Sequence, residues 1–127
     1  MRLGTLGIQL RLRGHLWEQG REWPRYTQGY FYQGFEECRI TGGKPKGLRF
    51  SQYEVDNILT DADVLDIGSN AGFVARYCAK LAASVTIIEL NPFLNKIVRD
   101  AADYLALKNV SVIEGDFTTR AWRISAV

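Results

Sequence analysis

The stretch Val64-Leu65-Asp66-Ile67-Gly68-Ser69-Asn70-Ala71-Gly72-Phe73 decides how the chain reads. Val64, Leu65 and Ile67 surround a single carboxylate, and a short apolar run ended by a glycine reads as a buried strand. Two glycines four apart follow, Gly68 and Gly72, with Asn70 between them. Beyond them Val74, Tyr77, Cys78 and Leu81 recur at helical spacing. Strand, glycine turn and helix in that order let a ligand approach bare backbone. The first N–H groups of the helix are unsatisfied, and its start carries a partial positive charge. Without a ligand the same residues simply make a tight strand-to-helix connection.

Working outward, Ser84-Val85-Thr86-Ile87-Ile88-Glu89 is a second strand, rich in β-branched residues and ending in an acid. A helix follows. Asn91 suits its cap, Pro92 suits its first turn, and Leu94, Ile97, Val98, Ala101, Ala102 and Leu105 share one face. The pattern predicts an end near Lys108-Asn109. Val110-Ser111-Val112-Ile113-Glu114-Gly115-Asp116-Phe117 is a third strand and its exit. Upstream, Ser51 and Glu54 have capping-box spacing, with Phe50 and Val55 placed as a hydrophobic staple. They predict a helix from Ser51 to about Leu59 that turns Val55, Ile58 and Leu59 inward. From residue 51 the order is helix, strand, helix, strand, helix, strand. Right-handed crossovers then give an α/β, Rossmann-like parallel sheet with helices on both faces.

The glycine pattern is not the dinucleotide fingerprint, in which the last glycine comes five residues after the first. Position 73 is Phe. Asp66-x-Gly68-x-Asn70-x-Gly72 at a strand end instead resembles the first motif of class I S-adenosylmethionine-dependent methyltransferases. Asn70 stands where that family usually has glycine, and Asn tolerates left-handed backbone angles. Glu89, 21 residues after Gly68, lies near the interval at which such folds place a ribose-binding carboxylate. Gly115-Asp116-Phe117 is similar to the family's adenine-binding segment. The resemblance covers about residues 61–117. It implies S-adenosylmethionine as cofactor, held by the turn Gly68, Ser69, Asn70, Gly72 and Phe73. By the same resemblance Asp66 orients the cofactor's amino group, directly or through water. Glu89 accepts both ribose hydroxyls, Leu90 and Phe117 sandwich adenine, Asp116 accepts from its exocyclic amine, and Asn91 opens the next helix beside them. Arg49 and Tyr53 fall where the family's preceding helix lines the pocket, or on the surface. Each acid also has a plainer reading, Glu89 as a helix-start acid and Asp116 as a turn acid. A nucleotide-binding module for NAD and a non-catalytic relic of the fold are the alternatives.

The 127 residues fit one domain by length, with ordinary globular composition, 46% hydrophobic and 24% charged. No apolar run approaches the roughly 20 residues of a membrane helix. The start has no apolar block of the kind a secretory signal needs. Cys38 and Cys78 form no disulfide framework and no zinc pattern, and Cys78 falls on an apolar helix face. A reducing cytoplasm is the compartment that suits them.

The net charge of +2 hides an asymmetry: residues 1–50 carry +5 and residues 51–127 carry −3. The chain therefore divides into an N-terminal aromatic and basic segment, 1–50, and a cofactor-binding part, 51–127. A basic, aromatic segment suits an anionic methyl acceptor such as RNA, but five extra charges fall short of a nucleic-acid stripe, and a solvated surface is the favoured reading. Ile8-Gln9-Leu10-Arg11-Leu12-Arg13 alternates apolar and polar residues and predicts an edge strand. Trp17, Trp23, Tyr26, Tyr30, Phe31, Tyr32 and Phe35 form either a substrate-facing lid or a cluster covering one end of the sheet. His15, the only histidine, has no companion acid nearby in sequence and reads as solvated. Thr41-Gly42-Gly43-Lys44-Pro45-Lys46-Gly47 has linker composition; it lacks the glycine and hydroxyl residue of a phosphate loop.

The resembled family has a seven-stranded sheet with further strands beside the first, and no counterpart of its acceptor-side motif is visible here. The tail Trp122–Val127, a second copy or more chain can each complete such a truncated fold, and the expectation is a homo-oligomer or a fragment of a longer chain rather than a self-sufficient monomer. The catalytic residues and the methyl acceptor stay unassigned.

Overall fold

Parallel pairing is the first thing the strands settle. In a computed structural model, residues 3–22, 31, 34, 36–40, 42 and 55–118 are described. They form α1 (Thr5–Glu22), a 3-10 turn (Glu36–Cys38), α2 (Asp56–Leu59), β1 (Asp63–Ile67), α3 (Phe73–Ala79), β2 (Ser84–Glu89), α4 (Pro92–Tyr104) and β3 (Val110–Glu114). The sheet order is β1-β2-β3, all parallel. Asp66 sits opposite Ile87, which sits opposite Val112; Ile67 sits opposite Ile88, then Ile113. β2 is central and its side chains are the most deeply buried, with Val85 and Ile87 fully covered.

Both crossovers step the same way across the sheet. Two right-handed crossovers in one direction put their helices on the same face. Ala75, Cys78 and Ala79 of α3 and Val98 of α4 accordingly pack with Val85 and Ile87, and Val64, Val110 and Val112 join them. The alternate residues Leu65 and Ile67 point to the opposite face and are 45% and 48% exposed. Among the described residues, the flanking helices therefore occupy one face.

The α4 sequence forms the helix that its pattern dictates. Asn91 Oδ1 accepts the Phe93 and Leu94 N–H groups, and Pro92 enters the first turn. Leu94, Ile97, Val98, Ala101 and Ala102 are buried as their spacing requires. The helix stops at Tyr104, short of Lys108-Asn109, because Ala106 takes a left-handed φ of 56° that breaks the ladder. α2 is likewise shorter than expected. It spans Asp56–Leu59, with Val55 at the cap and no side-chain capping bond. Leu59 packs against the core, whereas Ile58 is 74% exposed. Ser51, Glu54, Phe50, Arg49 and Tyr53 lie outside the described residues, as do the tail 119–127 and most of the aromatic segment.

The N-terminal edge strand is overturned. Residues 5–22 are one helix, α1, lying across α4 as a third layer. Ile8 and Leu12 are buried against Leu94, Ile97 and Ala101, whereas Leu10, which strict alternation would also place inside, is 62% exposed. The alternating stretch contains the i, i+4 pair of a helix as well as the i, i+2 series of a strand. The partner surface chose the first: α4 offers an apolar ridge on which Ile8 and Leu12 are buried. Two bonds pin the helices antiparallel, His15 Nε2 to Asp100 Oδ2 at 2.6 Å and the Thr5 hydroxyl to the Tyr104 hydroxyl at 3.2 Å. No described helix is long and apolar enough to cross a membrane.

Candidate functional site

The three strand exits stand side by side because the register is parallel and unshifted. Gly68 N–H donates to the Ile88 carbonyl at 2.8 Å, and Gly115 N–H to the Glu89 carbonyl at 3.1 Å. The ends of β1, β2 and β3 thus form one rim, carrying Gly68 to Gly72, Glu89 to Asn91, and Gly115 to Phe117.

Glu89 is the centre of that rim. Its Oε2 accepts the Asn70 backbone N–H and its Oε1 the Asn91 backbone N–H, each at 3.0 Å. One carboxylate therefore ties the glycine turn to the start of α4. An ionised carboxylate offers about four acceptor positions, so roughly two remain for a ligand. Asn70 adopts φ 55°, and its own Oδ1 accepts the Ala71 N–H at 2.7 Å, which holds the left-handed turn.

The two glycines do different things. Gly68 has φ 70°, and a Cβ there would meet nothing within 4 Å. Its flank is open space. Gly72 has φ 81°, and a Cβ there would lie 2.7 Å from Val98 Cγ2. Gly72 lets α3 start close against α4, so its role is packing rather than ligand approach. Ser69 is buried within the turn. The Phe73 ring is stacked 5.7 Å from the Arg76 guanidinium carbon.

Asp66 lies on the helix-covered side of β1, in register with Ile87. Its Oδ2 is buried with no hydrogen-bond partner among the described residues. Burial first, and the negative charge of Glu89 second, raise its pKa above the usual carboxylate value. Burial and then the charge of Asp66 also push the Cys78 thiol up, so Cys78 is the inert core residue its helical face implied.

Leu90 and Phe117 are 46% and 39% exposed at successive exits. Asp116 Oδ1 accepts from the Thr118 N–H at 2.8 Å and from its hydroxyl at 2.7 Å. Those hydrogen bonds lower its pKa. The plainer reading of Asp116 as a turn acid is thus realised. The Asn91 side chain is 4% exposed and occupied with capping α4.

Sequence reasoning missed three supports. Asn95, fully buried, donates from Nδ2 to the Glu89 carbonyl at 3.0 Å and to Glu114 Oε1 at 3.4 Å, bracing two strand exits. An Asn one turn beyond a capping Asn was the available signal. Arg76, 4% exposed, donates to Glu37 Oε2 at 2.8 Å and to the Gly34 carbonyl at 3.1 Å, and Lys80 reaches Glu37 Oε1 at 2.7 Å. They anchor the 3-10 turn on α3. His15 is not solvated, since Asp100, 85 positions away, is its companion acid. Sequence carries no signal for the last two, because the partners are far apart along the chain.

Comparison with known proteins agrees on the fold. No protein-family model matches the chain. A stretch of 66 residues is 32% identical to the uncharacterized protein MJ1452 of Methanocaldococcus jannaschii, which covers 51% of this chain and 26% of that one. A dimethyladenosine transferase from Plasmodium falciparum superposes with a TM-score of 0.54 at 21% identity, over 62% of this chain and 30% of that chain. WbdD, solved with the kinase inhibitor LY294002, superposes with a TM-score of 0.57 at 18% identity, over 79% and 24%. The chain has the Rossmann-like fold shared by these structures. It spans less than a third of the length of each of these three proteins.

Proposed function

We propose that this chain is the cofactor-binding part of an S-adenosylmethionine-dependent methyltransferase. The observation that carries the reading is Glu89, held by the Asn70 and Asn91 N–H groups beside the open flank of Gly68. The residues present fit an adenosyl sulfonium. Glu89 has acceptor positions left for two ribose hydroxyls. Leu90 and Phe117 offer exposed apolar surface at adjacent exits, and Asp116 stands fixed beside them for the exocyclic amine. Asp66 Oδ2 is a buried acceptor lacking a donor, which a bound ammonium satisfies directly or through water.

Bound there, the cofactor supplies both the methyl group and its own leaving group. The chain's work is then positional. The glycine turn keeps side chains out of the space beside Gly68. Glu89 fixes the ribose through charge-assisted hydrogen bonds, each worth about 1.5–3 kcal/mol. Holding donor and acceptor in contact supplies about 7–11 kcal/mol of barrier reduction, so no proton-transferring triad is required at the rim.

Calorimetry on the intact chain tests the reading. S-adenosylmethionine and S-adenosylhomocysteine bind, and Glu89→Ala weakens both by at least about tenfold. Binding of NAD in their place would establish a dinucleotide module. Silence with all three would leave a non-catalytic relic.

The methyl acceptor, RNA or small molecule, belongs to parts of the protein beyond this rim. The outer edge of β1 has no strand partner among the described residues, and Leu65 and Ile67 leave apolar surface beside it. We propose that more chain or a second copy covers that edge. Light scattering showing a stable monomer with no tendency to associate would count against the second copy.

A further inference from the structure

The outward face of α1 carries a stripe that the fold does not use. Leu6, Leu10 and Trp17 are 68%, 62% and 64% exposed, although α1 already buries its other side on α4. At 100° per residue these three fall within about 40° of arc, and Arg13 and Arg21 lie just outside it, one on each flank. The whole stripe, Leu6-Leu10-Arg13-Trp17-Arg21, occupies about 80° and runs for roughly 22 Å. Both arginines are exposed, and Arg21 stacks on the Trp17 ring at 5.0 Å. The first three steps have the four-three-four spacing of a helix-packing seam. Gly14, at the edge of the stripe, has nothing within 4 Å of where a Cβ would sit, so a neighbouring backbone has room to approach.

We infer that this stripe docks an acidic amphipathic helix from outside these 127 residues. An apolar line flanked by cations on both sides is complemented by an apolar line flanked by carboxylates. The stripe holds two cations and no acid, so a second copy of α1 would bring only like charges to the flanks. The chain's own remaining segments do not supply the complement either. Residues 23–30, 43–54 and 119–127 contain Arg25, Lys44, Lys46, Arg49, Arg120 and Arg123 against the single acid Glu54. An arc this narrow matches one helix; a membrane surface takes a wider apolar face. Because α1 runs antiparallel to α4, Trp17 and Arg21 lie at the end nearer the rim, and an occupant reaches toward that rim. The inference stands independently of the methyltransferase reading.

Two designed helical peptides test it on the intact chain, both with leucine seams, one flanked by glutamates and the other by lysines. The glutamate peptide binds the tighter by about tenfold, the scale of two exposed ion pairs, and added salt narrows the gap. Arg13→Glu with Arg21→Glu reverses the preference. Leu10→Glu, at an exposed position, abolishes binding of both peptides while the helical circular dichroism is retained. Binding of neither peptide, equal binding of both, or an unchanged preference in the charge-reversed variant overturns the inference. So does a dimer that Leu10→Glu dissolves, or capture of the stripe by phosphatidylglycerol vesicles with no binding of the glutamate peptide.

Discussion

A Cβ placed on Gly72 would lie 2.7 Å from Val98 Cγ2, so the start of α3 and the middle of α4 approach as closely as glycine allows. That contact sets the distance between two helices on one face of the sheet, and with it the position of the turn that faces Glu89. Gly72→Ala combines a left-handed φ with overpacking, and it should cost about 2–4 kcal/mol in denaturant unfolding. Adding Val98→Ala should restore part of the loss in a double-mutant cycle, which plain backbone strain would not allow.

Gly68→Ala should separate stability from binding. Its φ of 70° costs about 1 kcal/mol, but a Cβ meets no neighbour. The methyl group instead enters the space assigned to the ligand. Unfolding should therefore change little, while calorimetric affinity for S-adenosylhomocysteine falls by about tenfold or more.

Glu89→Gln leaves a side chain that can accept from Asn70 or from Asn91, but not from both. One N–H, exposed at Asn70 or part-buried at Asn91, loses its carboxylate, and about 1 kcal/mol of stability should go with it. Hydrogen exchange should quicken at the amides of Asn70 and Asn91 ahead of those in β2.

Asp66→Asn should stabilise the chain at neutral pH even as it weakens cofactor binding. The folded-state pKa of Asp66 is raised, first by burial and then by Glu89. The native state therefore binds a proton more readily than the unfolded chain. Its contribution to stability is lost as pH rises from the unfolded value, about 3.9, through the raised folded value. Above that window the native chain carries a buried charge that asparagine lacks. Thermal melts of both proteins across pH should diverge most at neutral pH and converge at acid pH.

Glu37 behaves in the opposite sense. Burial raises its pKa, yet the Lys80 hydrogen bond, its own backbone bond and the charges of Arg76 and Lys80 together win and lower it. Its contribution is thus present above the unfolded value and lost as pH falls through the lowered folded one. Glu37→Gln also removes the carboxylate that Arg76, 4% exposed, reaches at 2.8 Å, and should cost about 2 kcal/mol at neutral pH. The same melts should show a flatter acid limb than the parent.

The rim was legible in the sequence because each of its parts is local. A glycine turn after an apolar run, an Asn suited to a left-handed angle and an acid at a strand exit all declare themselves within a few residues. So did α4, whose cap and apolar face lie on one continuous segment. The extents of α2 and α4 were not legible. Ile58 looked inward by spacing but found no core to enter, and Ala106 ended α4 at a residue with no reputation for ending helices.

By itself the sequence determined the order of strands and helices and the chemistry gathered at the strand exits, since backbone preference and side-chain type act over a few residues. Only the tertiary structure decided that residues 5–22 are a helix, that His15 meets Asp100, and that Gly72 serves packing while Gly68 leaves space. Those outcomes depend on which distant surface each segment lands against. An Ile8-Leu12 pair satisfies a strand and a helix equally until the apolar ridge of α4 lies opposite it.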